Sequence, residues 1–237
     1  MSNWRQKMID VIYLNGGSGE RAELGFPKQF ARLKGKPIMI YGLEILRQIK
    51  EINKIIIPCQ KIVDEVIINN LFVYGIKNYM ICEAGKTRQE SVYNGLKNVG
   101  TKQVLICESV RPFMSKKLVE KVINIKGDCV SPIDKSVASV IDLDGVSYER
   151  NNIGTVQMPQ KYDTKKLKKI HECMKEKKEK ATDEMDLICK YAVIYNEFPF
   201  NRLVIFHGER ENIKITYPID LKIAEAILDY RSGKKDE

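Results

Sequence analysis

The sequence predicts an α/β protein: a mainly parallel sheet with helices on both faces, plus an antiparallel β-arm near residues 137–157. Two observations carry the sheet. Short apolar runs alternate with amphipathic helical segments as far as Pro132, and the loops that hold unusual residues all follow the apolar runs. The arm rests on a third. Beyond Pro132 the rhythm gives way to two short runs on either side of Asp144-Gly145, a strong hairpin signal.

In chain order, Val11 to Leu14 reads as a buried parallel strand. Pro37 to Ile49 sets Ile38, Tyr41, Ile45, Leu46 and Ile49 at helical spacing. Lys54 to Ile57 is the next strand, Val63 to Phe72 a helix and Asn78 to Cys82 a short strand. Arg88 to Val99 is a helix, Val104 to Cys107 a strand, Ser115 to Ile125 a helix and Asp128 to Pro132 a strand. Val137 to Ile141 and Val146 to Tyr148 form the arm. A lysine-rich helix over 161–180 follows, then late strands at Val193 to Tyr195 and Leu203 to Phe206. Ile219 to Tyr230 closes the chain as a helix, and Ser232 to Glu237 reads as a frayed tail. Neither a linker nor a repeat divides the chain, so 237 residues are read as one domain.

A net charge of +9 points to anionic ligands. Much of that excess is local: residues 161–180 hold nine lysines. Leu167, Ile170 and Met174 mark one apolar stripe there, so a solvated amphipathic helix is favoured over a nucleic-acid surface. Six cysteines without C-x-x-C spacing fit a reducing, cytoplasmic setting. Residues 1–8 lack the apolar core of a signal peptide, and no run approaches membrane-spanning length, so no membrane insertion is expected.

The first strand empties into Asn15-Gly16-Gly17-Ser18-Gly19, with Arg21 and Lys28 close behind. Such glycines let backbone N–H groups approach an anion closely. Gly17-Ser-Gly19-Glu-Arg-Ala22 fits a dinucleotide fingerprint, but Gly25 and Pro27 interrupt the helix that fingerprint needs. The second strand also ends in Pro58-Cys59 instead of an acid. A Walker loop lacks its Gly-Lys-Ser/Thr. A nucleotidyltransferase loop remains, in which the glycines wrap a nucleotide and the two cations neutralise its phosphates. The bland alternative is a surface turn with solvated cations. The strand that feeds the loop and the proline that fixes Lys28 weigh against it.

Gly16-Gly17-Ser18-Gly19-Glu20-Arg21 with Pro27-Lys28-Gln29-Phe30 resembles the signature of the CTP-dependent alditol-phosphate cytidylyltransferases. These include the 2-C-methyl-D-erythritol 4-phosphate and ribitol-5-phosphate enzymes. Six further segments resemble that family in order. In Glu83-Ala-Gly-Lys-Thr-Arg-Gln-Glu-Ser-Val92, Gly85, Arg88 and Ser91 match a nucleotide-holding motif. Cys107-Glu-Ser-Val-Arg-Pro-Phe113 matches His-Asp-Ala/Ser-x-Arg-Pro-Phe, with Cys107 for His and Glu108 for Asp. Ser136 stands where the family has an acceptor-binding threonine, and Lys135 where it has aspartate. Arg150 with Gln157-Met-Pro-Gln160, Ala181-Thr-Asp-Glu184, and Glu211-Asn-Ile-Lys-Ile-Thr-Tyr-Pro-Ile-Asp-Leu221 complete the set.

The resemblance implies a Rossmann-like nucleotidyltransferase fold. It also implies transfer of CMP from CTP to a phosphorylated alditol, with release of pyrophosphate. Arg21 and Lys28 are then the catalytic cations. Leu14, Asn15, Gly16, Gly17, Ser18, Gly19, Gly85, Arg88 and Ser91 hold the nucleotide, and Ser136, Arg150 and Lys214 hold the acceptor. Glu108 ligates Mg²⁺, or another divalent cation, and the alternative for Glu108 alone is a surface pair with Arg111. A homodimer through the arm is implied, with Ser136 and Arg150 serving the second copy's site. Ser109-Val110 leans towards ribitol 5-phosphate and Thr87 to Val92 towards the methylerythritol branch, and the balance tips slightly to ribitol 5-phosphate. The alternatives are the methylerythritol enzyme of isoprenoid synthesis and a catalytically impaired nucleotide-binding protein.

Overall fold

The computed structural model describes residues 8–16 and 26–233. Strand β1 (Ile9–Leu14) lies at the centre of an eight-stranded sheet and is buried at every position. It pairs in parallel with β4 (Ile52–Cys59) on one side and β6 (Gln103–Glu108) on the other. Between β1 and β4 lie a short antiparallel pair, β2 (Arg32–Leu33) and β3 (Lys36–Pro37), and helix α1 (Ile38–Leu46). β4 passes through α2 (Asp64–Val73) to β5 (Tyr79–Glu83), which forms the parallel edge. Helix α3 (Arg88–Leu96) precedes β6, and α4 (Lys116–Asn124) precedes β7 (Cys129–Lys135).

Side chains on β1 alternate between two cores, as a pleated strand buried on both faces requires. Val11 and Tyr13 pack with α1, α2 and α4, whereas Ile12 and Leu14 pack with α3 and the late helices. Asp10 is buried at the start of the strand. Its carboxylate accepts from the Gly100 N–H (2.7 Å) and from Asn53 Nδ2 (2.8 Å), which ties β1 to its neighbours. Helix starts follow their capping residues: Thr87 Oγ1 accepts from the Glu90 N–H (3.1 Å) and Ser115 Oγ from the Leu118 N–H (3.0 Å).

The sheet continues past Pro132 further than the sequence suggested. Strands β10 (Gly154–Val156) and β11 (Gln160–Asp163) return antiparallel to β7, and β11 also pairs with β6. Residues 154–156 therefore belong to the central sheet. The arm carries only a small hairpin, β8 (Val140–Ile141) with β9 (Ser147–Tyr148), turned at Gly145 with φ +84°. Lys161, expected to open a helix, lies in β11 with its ammonium buried. It donates to the Ile123 (2.9 Å) and Ile125 (2.5 Å) carbonyls at the end of α4. Helix α5 (Thr164–Glu176) begins three residues later, capped by Asp163. Val193 to Tyr195, expected as a strand, is the last turn of α6 (Glu184–Tyr195). Its local β preference is overridden because Leu187, Ile188 and Tyr191 form one buried helical stripe under an Asp183 cap. Strand β12 (Leu203–His207) pairs in parallel with β7, and α7 (Pro218–Gly233) packs Ala224 against Leu33, Ile38 and Phe113.

One glycine tests the packing of β1 on α1. The buried Tyr13 hydroxyl donates to the Met39 carbonyl (2.7 Å), and a Cβ on Gly42 would lie 2.6 Å from that oxygen. Alanine gains about 1 kcal/mol in helix propensity, but overpacking a rigid phenol costs about 1–3 kcal/mol. Gly42→Ala is therefore expected to destabilise the fold, seen as a lower urea midpoint with an unchanged m-value. A midpoint at or above that of the parent would show that Tyr13 can yield.

Candidate active site

The carboxyl ends of β1, β4, β5 and β6 lie side by side, where ligands of parallel sheets bind. At that edge Leu14 is in register with Glu108, and the Ser109 N–H donates to the Leu14 carbonyl (3.0 Å). Asn15 is buried. Its carbonyl accepts from Gln29 Nε2 (2.9 Å), which brings the 28–30 turn against the end of β1. Its side-chain Oδ1 is buried and finds no partner among the described residues. A buried acceptor without a partner at the carboxyl end of β1 is the kind of exception that a ligand explains. Gly16 leaves open space where a side chain would stand. Gly17, Ser18, Gly19 and Arg21 lie outside the described residues.

Glu108 is the hub of the described site. It is 7% exposed, and three cations share its carboxylate. Lys214 Nζ (2.9 Å) and Arg88 Nε (3.3 Å) donate to Oε1, and Arg111 Nε (3.1 Å) donates to Oε2. Burial alone would raise the pKa of Glu108. Lys214, Arg88 and Arg111 more than offset it and hold the group at about 2, so the carboxylate is ionised. The Glu108–Arg111 pair, the alternative reading of Glu108, exists, but it is buried and not at the surface. Arg111 also donates to the Asn212 carbonyl (2.8 Å), and the Ile215 N–H donates to the Val110 carbonyl (2.9 Å). Those two bonds lay residues 212–215 along the loop after β6 and set Lys214 over Glu108. On the far side, Arg88 Nη1 donates to Glu184 Oε1 (2.9 Å), and Nη2 lies 2.9 Å from Oε2 as an ion pair without a hydrogen bond.

Gly85 and Ser91 shape the neighbouring turn. The Gly85 N–H donates to Ser91 Oγ (3.0 Å), and a Cβ at Gly85 would lie 2.1 Å from that of Glu90. Ser136 and Arg150 stand apart. Ser136 Oγ donates to the Ala138 carbonyl (2.8 Å) and Arg150 is exposed; among the described residues, neither contacts the Glu108 group. Glu184 and Asn212 escaped prediction as site residues. The first lies in a motif read only as a turn, and the second in the closing 211–221 motif, where only Lys214 was singled out.

Divalent metal chemistry depends on the donor set. Among the described residues there is no group of three or more His, Cys, Asp and Glu side chains able to hold a metal. Glu108 is an ionised oxygen donor of the kind Mg²⁺ prefers, but it is already shared by three cations. One carboxylate fits such an ion only when the remaining oxygen donors come from beyond the described residues.

His171 lies behind Arg88, 2% exposed and stacked on Tyr93 with ring centroids 6.1 Å apart. Burial, then Arg88, lowers its pKa from 6.5 to about 3. The folded state keeps it neutral while the unfolded chain protonates near 6.5, so its stabilising contribution is full above that pH and lost as pH falls towards 3. Urea midpoints should fall from pH 7 to pH 4, and His171→Asn should flatten that slope. An unchanged slope would remove His171 as its source.

The family model described as IspD, 2-C-methyl-D-erythritol 4-phosphate cytidylyltransferase, matches residues 9–230. A protein of that name from Clostridium perfringens is 33% identical over 230 residues, covering 92% of this chain and 97% of the relative. One from Fusobacterium nucleatum is 33% identical over 231 residues, covering 92% and 95%. Among solved structures, a 4-diphosphocytidyl-2C-methyl-D-erythritol synthase from Anaerococcus prevotii superposes with a TM-score of 0.82 at 28% identity, covering 96% of this chain and all of that one. Ribitol-5-phosphate enzymes do not figure among these relatives, so the slight lean towards that acceptor gains no support. The chain belongs to the IspD family of cytidylyltransferases, which are CTP-dependent nucleotidyltransferases.

Proposed function

We propose that this chain transfers CMP from CTP to 2-C-methyl-D-erythritol 4-phosphate, releasing pyrophosphate. The observation that carries the reading is the buried, ionised Glu108 ringed by Arg88, Arg111 and Lys214 at the carboxyl end of β6, within a family match that spans residues 9–230. An acceptor phosphate oxygen attacks the α-phosphorus, a new P–O bond forms, and the bond to the β-phosphate oxygen breaks. The attacking phosphate is already ionised, so the protein needs neither a nucleophile nor a base. Its work is positioning and charge stabilisation.

Asn15 to Gly19, Gly85 and Ser91 hold the nucleotide in this reading. Lys28 and Arg21 offset the charge that builds on the α-phosphate and the leaving pyrophosphate. Lys214 keeps one donor on Glu108 and gives another to the acceptor phosphate. Glu108 would hold a divalent cation with triphosphate oxygens, and such an ion would supply further charge neutralisation. Ser136 and Arg150 would reach the acceptor of a second copy. The exposed apolar arm residues Val137, Ile141, Leu143 and Val146 support a dimer through that arm.

Pyrophosphate release tests the reading. With CTP, 2-C-methyl-D-erythritol 4-phosphate should give kcat/KM at least about tenfold above ribitol 5-phosphate, the size of discrimination a single misplaced group produces. Ribitol 5-phosphate turning over faster would reverse the acceptor. Release from none of a panel of alditol phosphates would leave a nucleotide-binding protein, and equal turnover with ATP would remove the cytidine assignment.

A further inference from the structure

We infer that Glu184 is a positioning residue for the proposed transfer, and that it acts by locking Arg88 onto Glu108. The inference rests on the functional reading above. Glu184 is the first residue of α6 and 1% exposed, and Arg88 is the first residue of α3. Arg88 Nη1 donates to Glu184 Oε1 (2.9 Å), and Nη2 lies 2.9 Å from Oε2 as an ion-pair contact without hydrogen-bond geometry, so one hydrogen bond and the facing charges hold the guanidinium. Only Nε is then turned to Glu108, where it shares Oε1 with Lys214. An arginine held this way has Nη1 committed to Glu184 and Nε to Glu108. It supports the carboxylate on which Lys214 rests.

Charge explains why the lock is acidic. Arg88, Arg111 and Lys214 bring three positive charges to a buried cluster, and Glu108 and Glu184 bring two negative ones, leaving a net +1. Without Glu184, the terminal nitrogens of Arg88 would turn to the strongest acceptors at hand. Those are Glu108, which would displace Lys214, and an incoming triphosphate, which would be gripped in an unproductive pose. The nucleotide should then bind as well or better while turnover falls.

Glu184→Gln keeps the shape and removes the charge. Its kcat should fall tenfold or more, with the KM for CTP unchanged or lower. A merely structural residue would lower the thermal midpoint and the active fraction, leaving kcat per active site and KM alone. The decisive comparison is Arg88→Gln against Arg88→Gln with Glu184→Gln. If Glu184 acts through Arg88, the pair should turn over within about threefold of Arg88→Gln alone. Losses that multiply, or a near-normal kcat for Glu184→Gln, overturn the inference. Should Glu184→Gln not fold, Glu184→Asp serves, since its effect must likewise vanish when Arg88 is glutamine. Calorimetric titration with CTP separates this from failure of the functional reading. Affinity retained or raised in Glu184→Gln supports the lock even if no alditol phosphate is turned over, and affinity lost tenfold refutes it.

Discussion

Glu108→Gln should lose turnover by about 100-fold or more and should also unfold more easily. The change removes one negative charge from the centre of three cations, leaving Arg88, Arg111 and Lys214 with only Glu184 between them. Breaking a buried ion pair by removing one partner typically costs about 3–5 kcal/mol, because the remaining charges are desolvated and unpaired. An exposed pair would be worth about 0–1 kcal/mol, and the 7% exposure of Glu108 decides between the two scales. The pH dependence carries a second signature. Glu108 has its folded pKa lowered from 4.5 to about 2, so its stabilisation is full above 4.5 and lost as pH falls through that interval. The glutamine variant should lack that part of the acid destabilisation. Glu108→Asp keeps the charge with a shorter reach and should retain substantial activity. Titrating Mg²⁺ at saturating CTP separates the roles of the carboxylate. A raised magnesium requirement in the glutamine variant supports a ligand, whereas superimposed curves leave Glu108 as an electrostatic hub alone.

The parallel core was legible because a strand buried on both faces needs an unbroken apolar run, and Val11 to Leu14 and Val104 to Cys107 supply it. Strands β10 and β11 were hidden because they are short and polar: Gly154–Val156 and Gln160–Asp163 owe their state to the β7 and β6 edges they pair with. Helix α6 was hidden for the opposite reason, since its β-branched end imitates a strand. Within the site, the glycines and Lys28 announce themselves by spacing. The Glu184–Arg88 pair spans 96 residues and has no local signature. Cys107, which departs from the family pattern, and the Ser109-Val110 pair also change meaning. Cys107 is buried in the core cluster that includes Met39 and Leu43. Ser109 and Val110 are buried under the 212–215 segment, where packing constrains them. The sequence lean towards ribitol 5-phosphate drew on Ser109 and Val110, whose identity the packing also constrains.

Lys28→Ala should lower kcat by about 10²–10³-fold, the effect of removing one preorganised charge from a developing oxyanion. The local chain explains why this lysine is preorganised. Pro27 fixes φ at −60°, and the Phe30 and Ala31 N–H groups close a tight turn on the Pro27 and Lys28 carbonyls at 3.0 Å each. Gln29, the next residue, is buried and donates to the Asn15 carbonyl, which ties the turn to the end of the central strand. The frame fixes the backbone from which the ammonium reaches, so less ordering of the chain is left to the binding step. The loss should therefore fall on kcat more than on the KM for CTP, because a chain with net charge +9 still attracts the nucleotide without it. Lys28→Arg keeps the charge but replaces a compact ammonium with a broad planar fork, and should recover part of the rate. Single-turnover measurements with saturating CTP and acceptor check this directly. Near-normal turnover in Lys28→Ala would take Lys28 out of the chemistry, whereas a raised KM with an intact kcat would reduce it to a binding contact.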